Sequence, residues 1–217
     1  MNARSIGLVL YCGASLACSS KSSAAGDGGT TTGPKGPTAQ GAASLHVTTS
    51  TSAPAPFCLP GAHWVNVPSS SQGGQQTTAS SKGALAVDGE AQMTVECSVK
   101  SSGSQFDVSA TLKSPGTSQN GGLTAPNIVL LTTMIAPDQS GAIGTLSVQD
   151  DPSVTTYTSR DCAYSVHPAA AGDQLGITPG RIWASVKCPT LRDEQSSNAS
   201  DVCQIESGYF VLENCAQ

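Results

Sequence analysis

The feature that most constrains this chain is an alternation of apolar and polar residues between Met93 and Leu112. Apolar side chains occupy every second position from Met93 to Val99, and after the loop at 101–104 the same period returns from Phe106 to Leu112. A period of two on both sides of a short, glycine-containing loop is typical of a β-hairpin with one buried face. Because that face must pack against further strands, the chain is predicted to be an all-β protein.

Further short segments, several of them rich in β-branched residues and separated by turn residues, extend this pattern. In Asn127–Ile135, apolar residues occupy both the odd-numbered and the even-numbered positions, so both faces of a strand would be apolar. This pattern predicts a central strand buried on both faces. No segment has a sustained helical period. We therefore expect an antiparallel β-sandwich or jelly roll of about nine strands, stapled by disulfides. The other predicted strands are Gly61–Val67, Ala142–Val148, Val154–Thr158, Cys162–Val166, Arg181–Lys187 and Tyr209–Glu213.

The cysteines point to an oxidising compartment. None of those beyond residue 50 is spaced as Cys-x-x-Cys, so disulfides are favoured over a structural zinc site. Cys188 ends one predicted strand and Cys203 precedes the next, which favours a bond between them that closes the polar segment 189–202. The pairing of the others stays open. The cysteines predicted to form disulfides are Cys58, Cys97, Cys162, Cys188, Cys203 and Cys215.

The N-terminus has an export signal, an apolar run that extends from Ile6 to Leu16 behind a short basic start. Its end, Ser15-Leu16-Ala17-Cys18, resembles the lipobox of bacterial lipoproteins. The resemblance implies that Cys18 is acylated and becomes the first residue of the mature chain. Ser19 resembles the signal that sorts lipoproteins to the outer membrane. Cleavage by ordinary signal peptidase is the alternative, but it would leave an odd number of thiols in an oxidising compartment.

The segment after the motif differs in composition from the rest of the chain. Residues 19–43 include no aromatic residue and no Val, Ile or Leu. Such a segment buries too little apolar surface to offset the entropy lost on ordering, so a flexible tether with a reach of roughly 25–30 Å is predicted. The length of the remainder suits one domain. The predicted organisation is a signal peptide at 1–17, a lipidated cysteine with its tether at 18–43, and one β-sandwich domain at 44–217.

Charge and motifs argue against several classes of function. Charged residues make up 12% of the chain, the net charge is -5 and no basic run occurs. Nucleic acid is therefore not expected as a partner, because phosphate binding needs clustered Lys and Arg. The chain lacks Gly-x-Ser-x-Gly, His-Glu-x-x-His and phosphate-loop motifs, so no catalytic residue, metal ligand or cofactor is assigned. Asp150 and Asp151, with Asp138, could bind calcium, although turn formation explains them more simply.

Two tryptophans are the most suggestive candidates for a ligand site. On their predicted strands Trp64 and Trp183 both fall on the more polar face, Trp64 beside Asn66 and Trp183 on the same face as Lys187. Tryptophan beside amides and hydroxyls on an exposed sheet face is suitable for stacking on sugar rings. Packing beneath a loop or a second sheet is the more usual fate of this residue. The candidate ligand-binding residues are Trp64, Asn66, Trp183 and Lys187.

These features lead to three hypotheses of function. The first is a lipid-anchored protein of the bacterial envelope that is not an enzyme and that binds a glycan or an envelope protein, or has a structural role. The second is a carbohydrate-binding domain that uses the two tryptophans. The third is a secreted hydrolase whose active site matches no motif, with a general base among His46, His63 and His167.

Overall fold

The protein is an all-β molecule with antiparallel strand pairing, as predicted. One compact unit spans Gly36–Gln217. Its described part contains thirteen strands and one short 3-10 helix, Glu90–Gln92. No helix in that part has the length and hydropathy that a membrane crossing requires. The structure, a computed structural model, describes residues 36–49, 62–69, 83–119, 122–135, 140–149, 155–167, 176–193 and 202–217.

The strands, in chain order, are β1 (Gln40–Thr49), β2 (His63–Val67), β3 (Ala86–Val87), β4 (Thr94–Ser102), β5 (Gln105–Lys113), β6 (Thr117–Gln119), β7 (Gly122–Thr124), β8 (Asn127–Ile135), β9 (Ser140–Gln149), β10 (Tyr157–Val166), β11 (Ile177–Thr178), β12 (Arg181–Asp193) and β13 (Val202–Glu213). Eleven of them form one sheet in the order β2-β1-β13-β12-β10-β9-β8-β5-β4, with β3 paired to β1 and β11 to β12. Strands β6 and β7 form a separate hairpin.

The order of the long strands is that of a meander. From β4 to β10 the neighbours in the sheet follow one another along the chain, as do β12 and β13, and β1 returns beside β13. A jelly roll is built from Greek-key connections instead. Of the two predicted architectures, the structure therefore supports the sandwich-like one, in which a single sheet packs on itself.

The sheet curls so that its two halves enclose one core. A Cβ added to Gly41 of β1 would lie 2.8 Å from Leu112 of β5 and 3.3 Å from Val95 of β4. Since β1 and β4 lie near opposite ends of the sheet order, only a curled sheet brings these side chains together. The core contains apolar side chains from both halves. The largest fully buried ones are Tyr164, Phe210, Leu45, Leu112, Ile128, Leu130, Met134, Leu146, Ile182, Leu191, Ile205 and Leu212.

Part of the edge of β4 is covered by the C-terminal segment that follows β13. The amide of Val99 donates to the carbonyl of Ala216, and the amide of Ala216 donates to the carbonyl of Cys97, each at 2.9 Å. The disulfide Cys97–Cys215 joins the same two segments. These contacts use backbone groups that an edge strand otherwise offers to other chains.

The predicted hairpin is confirmed as β4 and β5, which pair along their whole length. Gly103 in the turn has a φ of 64°, a left-handed conformation that glycine adopts without strain. The polar members of the alternation, such as Glu96 and Asp107, are exposed. The buried members are Met93, Val95, Val99, Val108, Ala110 and Leu112.

Strand β8 is central, as predicted, but only its inner face is buried. Ile128 and Leu130 are in the core, whereas Val129 is 39% and Leu131 57% exposed on the other face. The prediction of burial on both faces is wrong here, because the curled sheet encloses its concave side and leaves this part of its outer side open.

The predicted start of the domain at Ser44 is also wrong. Strand β1 begins at Gln40, and Ala42 and Ala43 are fully buried. The small residues that suggest a flexible tether have a packing role instead, because a side chain at Gly41 would crowd Leu112 and Leu212. The compact unit begins at Gly36. The predicted signal peptide, Cys18 and the tether up to residue 35 lie outside the described residues.

Disulfides staple the sheet, as predicted. Cys97–Cys215 and Cys162–Cys188 are bonded, with Cα–Cα distances of 4.9 and 4.1 Å. Cys203 is disulfide-bonded as well. Cys58 lies outside the described residues.

The predicted bond between Cys188 and Cys203 is wrong. Ala163 of β10 pairs with Lys187 of β12. Because the two strands are antiparallel, the next residue of β12, Cys188, lies opposite Cys162 of β10. Cys203 pairs with Leu191, further along β12. The adjacency of β10 and β12 in the sheet therefore decides the pairing, and a pattern along the chain does not reveal that adjacency.

Candidate functional site

Most of the candidate ligand residues lie on the outer face of the neighbouring strands β2, β1, β13 and β12, and His167, the residue after β10, lies against Trp183 of β12. We call this surface the outer aromatic face and define it by Trp64, His46, Tyr209, Trp183 and His167. The alternation of each strand sends apolar side chains into the core and these residues to the other side. A row of hydroxyl and amide side chains crosses the face, each opposite the next: Asn66, Ser44, Tyr209 and Ser185.

Trp64 lies in β2 and stacks on His46 of β1. Their ring centroids are 4.7 Å apart and their planes differ by 19°. The Nδ1 atom of His46 is 3.3 Å from Oε2 of Glu206, which stands at a β-bulge in β13. An indole stacked on an imidazole offers a flat apolar surface beside a hydrogen-bonding group, which suits the face and edge of a sugar ring.

Asn66 is a packing residue as well as a candidate site residue. It is 6% exposed, and the hydroxyl of Ser44 donates to its Oδ1 atom at 2.6 Å. The hydrogen bond joins β1 to β2 on the outer aromatic face. Ser44 was not a candidate in the sequence pattern, and His46 was considered only as a general base. Their alternation with Leu45 and Val47 is the signal that identifies β1 as a strand.

Trp183 is buried, with 3% of its surface exposed, so the predicted exposed indole is wrong at this position. It forms a small apolar cluster with Ala42 and Val211, and Leu85 packs against that cluster. The small side chain of Ala42 leaves room for the indole. The Nε1 atom of Trp183 is buried and has no hydrogen-bond partner among the described residues.

His167 completes the surroundings of Trp183. Its ring lies 5.3 Å from the indole and 6.2 Å from the ring of Tyr209. The amide of His167 donates to the carbonyl of Trp183 at 2.9 Å, which fixes the end of β10 against β12. Burial lowers the pKa of the imidazole below its ordinary value, because desolvation disfavours the charged form.

The two tryptophans do not stand side by side. Trp64 is opposite His46, whereas Trp183 is opposite Val211, which in turn is opposite Ala42 of β1. Three strand spacings and four residues along β1 separate them, or about 20 Å at the usual spacings of a sheet. Lys187 is exposed on the same strand as Trp183. The structure thus places the four predicted residues on one sheet region, with Trp64 and Trp183 in different surroundings.

A second outer surface was not predicted. In the part of the chain that the structure describes, the exposed large hydrophobic residues are Val129, Leu131 and Ile143, with Ile143 at 61% exposure. A shallow groove of about 420 Å³, lined in part by Val129 and Leu131, runs across β4, β5 and β8. Its polar lining comes from Glu96, Ser98, Ser109 and Thr111.

The carboxylates proposed for calcium binding, Asp138, Asp150 and Asp151, lie outside the described residues. Within the part of the chain that the structure describes, no three or more His, Cys, Asp and Glu side chains form a group that could hold a metal ion. The outer aromatic face itself has aromatic, hydroxyl, amide and imidazole groups, with the carboxylate of Glu206 beside His46.

No protein-family model, no curated protein and no solved structure matches this chain. Its class follows from the fold and the site: a disulfide-bonded, antiparallel all-β protein with a curled sheet and an aromatic outer face. The function has to be argued from those features and from the N-terminal sequence.

Proposed function

We propose that this chain is a lipid-anchored protein of the bacterial cell envelope that serves as a non-enzymatic binding module. The observation that supports it most is the set of disulfides, since five of the described cysteines are bonded and such bonds persist outside the cytoplasm. An exported chain needs a signal, and the N-terminus resembles that of a lipoprotein with Cys18 as the acylated residue. Ser19 makes the outer membrane the proposed location.

Mass spectrometry of the mature protein tests the anchor. After expression of the full chain in a Gram-negative host, we expect a diacylglyceryl-modified Cys18 as the first residue and recovery with the outer membrane. Cys18→Ser should abolish both results. Cys12→Ser changes a cysteine within the signal and should change neither. A mature chain with unmodified Cys18, or one that starts elsewhere, contradicts the proposal.

We propose a glycan as the ligand of the outer aromatic face, with Trp64 as the stacking residue. The Trp64–His46 stack and the hydroxyl and amide groups beside it support this choice, because aromatic faces and neutral polar groups together match a sugar ring. Trp183 has a supporting role in this proposal, since its indole is buried. The low charge of the chain also suits a neutral ligand.

Fluorescence provides the test, because the chain has only two tryptophans. In Trp183→Phe the emission comes from Trp64 alone, and we expect it to change when soluble envelope glycans are added. Trp64→Ala should weaken the same binding about tenfold or more in calorimetry, since stacked aromatic contacts are often the main binding residues. Unchanged emission across a broad glycan panel, or full affinity in Trp64→Ala, contradicts the assignment.

A further inference from the structure

Two neighbouring strands, β10 and β12, are irregular at the same level of the sheet. Against β9, strand β10 has an extra residue between Ser159 and Cys162. Against β13, strand β12 has an extra residue between Cys188 and Leu191. Residues of β10 and β12 form backbone pairs on either side of these extra residues, but the ladder between the two strands is interrupted where the extra residues lie. The strands open a cleft of about 380 Å³ there, and β-bulges are frequent beside functional sites.

Polar side chains hold the two bulges together. The hydroxyl of Ser159, a residue only 3% exposed, donates to Oδ1 of Asp161 at 2.6 Å. Across the cleft, the hydroxyl of Thr190 is 3.3 Å from each carboxylate oxygen of Asp161. Asp161 therefore joins β10 to β12 where the backbone ladder does not. The cleft has fixed hydroxyl and carboxylate groups, which is what a site for a polar ligand requires.

Two exposed arginines, Arg160 and Arg192, and the carboxylate of Asp193 also line the cleft. A guanidinium is planar and donates two parallel hydrogen bonds to a carboxylate. Because the arginines are matched by Asp161 and Asp193, the lining has no net charge. A simple anion gains little from such a site. A ligand with both a carboxylate and several hydroxyl groups can bind the arginines through its carboxylate and the carboxylates and hydroxyls of the cleft through its hydroxyl groups.

We propose that this cleft binds a carboxylate-bearing saccharide, a sugar of the uronic acid class. The carboxylate binds Arg192, and the ring hydroxyls bind Asp161 and Thr190. Arg160 already makes an interaction within the structure, so Arg192 is the better candidate for the ligand. The cleft is at the small end of the range for ligand pockets, which suits a short saccharide. This site is separate from Trp64 and does not depend on the glycan proposed for the outer aromatic face.

Calorimetry with the full chain tests the proposal. The probes are galacturonate and glucuronate, with galactose and glucose as neutral counterparts and inorganic phosphate as a simple anion. We expect the acidic sugars to bind at least tenfold more tightly than the others. Arg192→Ala should weaken their binding about tenfold, as expected for the loss of a charge-assisted pair. Arg192→Lys keeps the charge but loses the planar fork, and should also weaken it.

Lys100→Ala is the matched control, because it removes one exposed positive charge from β4, which lies at one end of the sheet order, away from β10 and β12. It should leave the affinity unchanged. Circular dichroism and melting curves show whether each variant is folded. The proposal is overturned if no acidic sugar binds at millimolar concentration, if phosphate or the neutral sugars bind as tightly, or if folded Arg192→Ala binds as well as the unmodified chain. Because Trp64 reports on the other surface, failure here leaves the proposed function to its own test.

Discussion

The outer aromatic face holds two imidazole–indole pairs in opposite surroundings. In one pair Trp64 lies partly buried on β2, and His46 is 3.3 Å from a carboxylate. In the other pair Trp183 is 3% exposed, and burial lowers the pKa of His167. The same two residue types thus form a partly open pair beside a carboxylate at the side of the sheet and a desolvated pair near its middle.

The two indoles differ in exposure because of the residues packed around them, and not because of their histidine partners. Trp183 is in an inner strand of the sheet and packs against Ala42, Val211 and Leu85, whereas Trp64 stands on β2, at the end of the sheet order. An indole at the side of a sheet keeps a face that a ligand can reach, and an indole surrounded on several sides becomes part of the packing. Only Trp64 is therefore suited to stack on a sugar.

The largest effect is expected from Trp183→Ala, which removes a buried indole. It should lower the free energy of unfolding by about 3–5 kcal/mol, the usual cost of a large aromatic deletion in a packed site. Trp64→Ala should cost only about 0.5–1.5 kcal/mol, mainly from its stack on His46. Urea denaturation of both variants measures the difference. Equal losses would remove the distinction between the two pairs.

Access to quencher separates the two indoles directly. In the variant Trp183→Phe the emission of Trp64 should be quenched by acrylamide several-fold more strongly than that of Trp183 in Trp64→Phe, because collisional quenching needs exposed surface. The substitution Trp183→Phe also removes the buried Nε1, which none of the described residues hydrogen-bonds, so it should cost less than Trp183→Ala. Similar quenching of both variants would show that both indoles are equally covered or equally open.

The pair of Trp183 with His167 should contribute a pH dependence to stability. The ordinary pKa of histidine is 6.5, and burial lowers that of His167 in the folded state. Below 6.5 the unfolded chain takes up a proton that the folded chain does not, so stability falls as the pH drops from 6.5 towards the folded value and then levels off. His167→Gln should flatten this part of the profile in urea denaturation. An unchanged slope would mean that His167 is not desolvated.

Alternation predicted much of the fold, including the β4–β5 hairpin and the polar outward face that carries Trp64. These features depend on contacts within a strand or between strands that are neighbours along the chain. The curl of the sheet is different, because it depends on contacts such as that of Gly41 with Leu112. That is why residues 40–43 suggest a tether by composition and yet belong to a strand.

The candidate site, like the fold, was predictable only where it depends on the pattern within a strand or on strands that are neighbours along the chain. A period of two assigns Trp64 and Trp183 to polar faces, but it cannot tell that Ala42 and Val211 stand beside one indole and His46 beside the other. It also cannot show that Cys162 lies opposite Cys188, since residues 167–180, which include β11, separate β10 from β12 along the chain. Burial on the outer face and disulfide pairing both depend on sheet order, which the local pattern does not contain.

The smallest effect is expected for the contact of His46 with Glu206. The side chain of Glu206 is 63% exposed, and ion pairs in water contribute about 0.5 kcal/mol or less. Glu206→Gln should therefore change the free energy of unfolding only slightly, and added salt should reduce the change further. Glu96→Gln, an exposed carboxylate on β4, is the control. A loss above about 2 kcal/mol would mean that the pair behaves as a buried one, and the Trp64 side of the face would then resemble the Trp183 side.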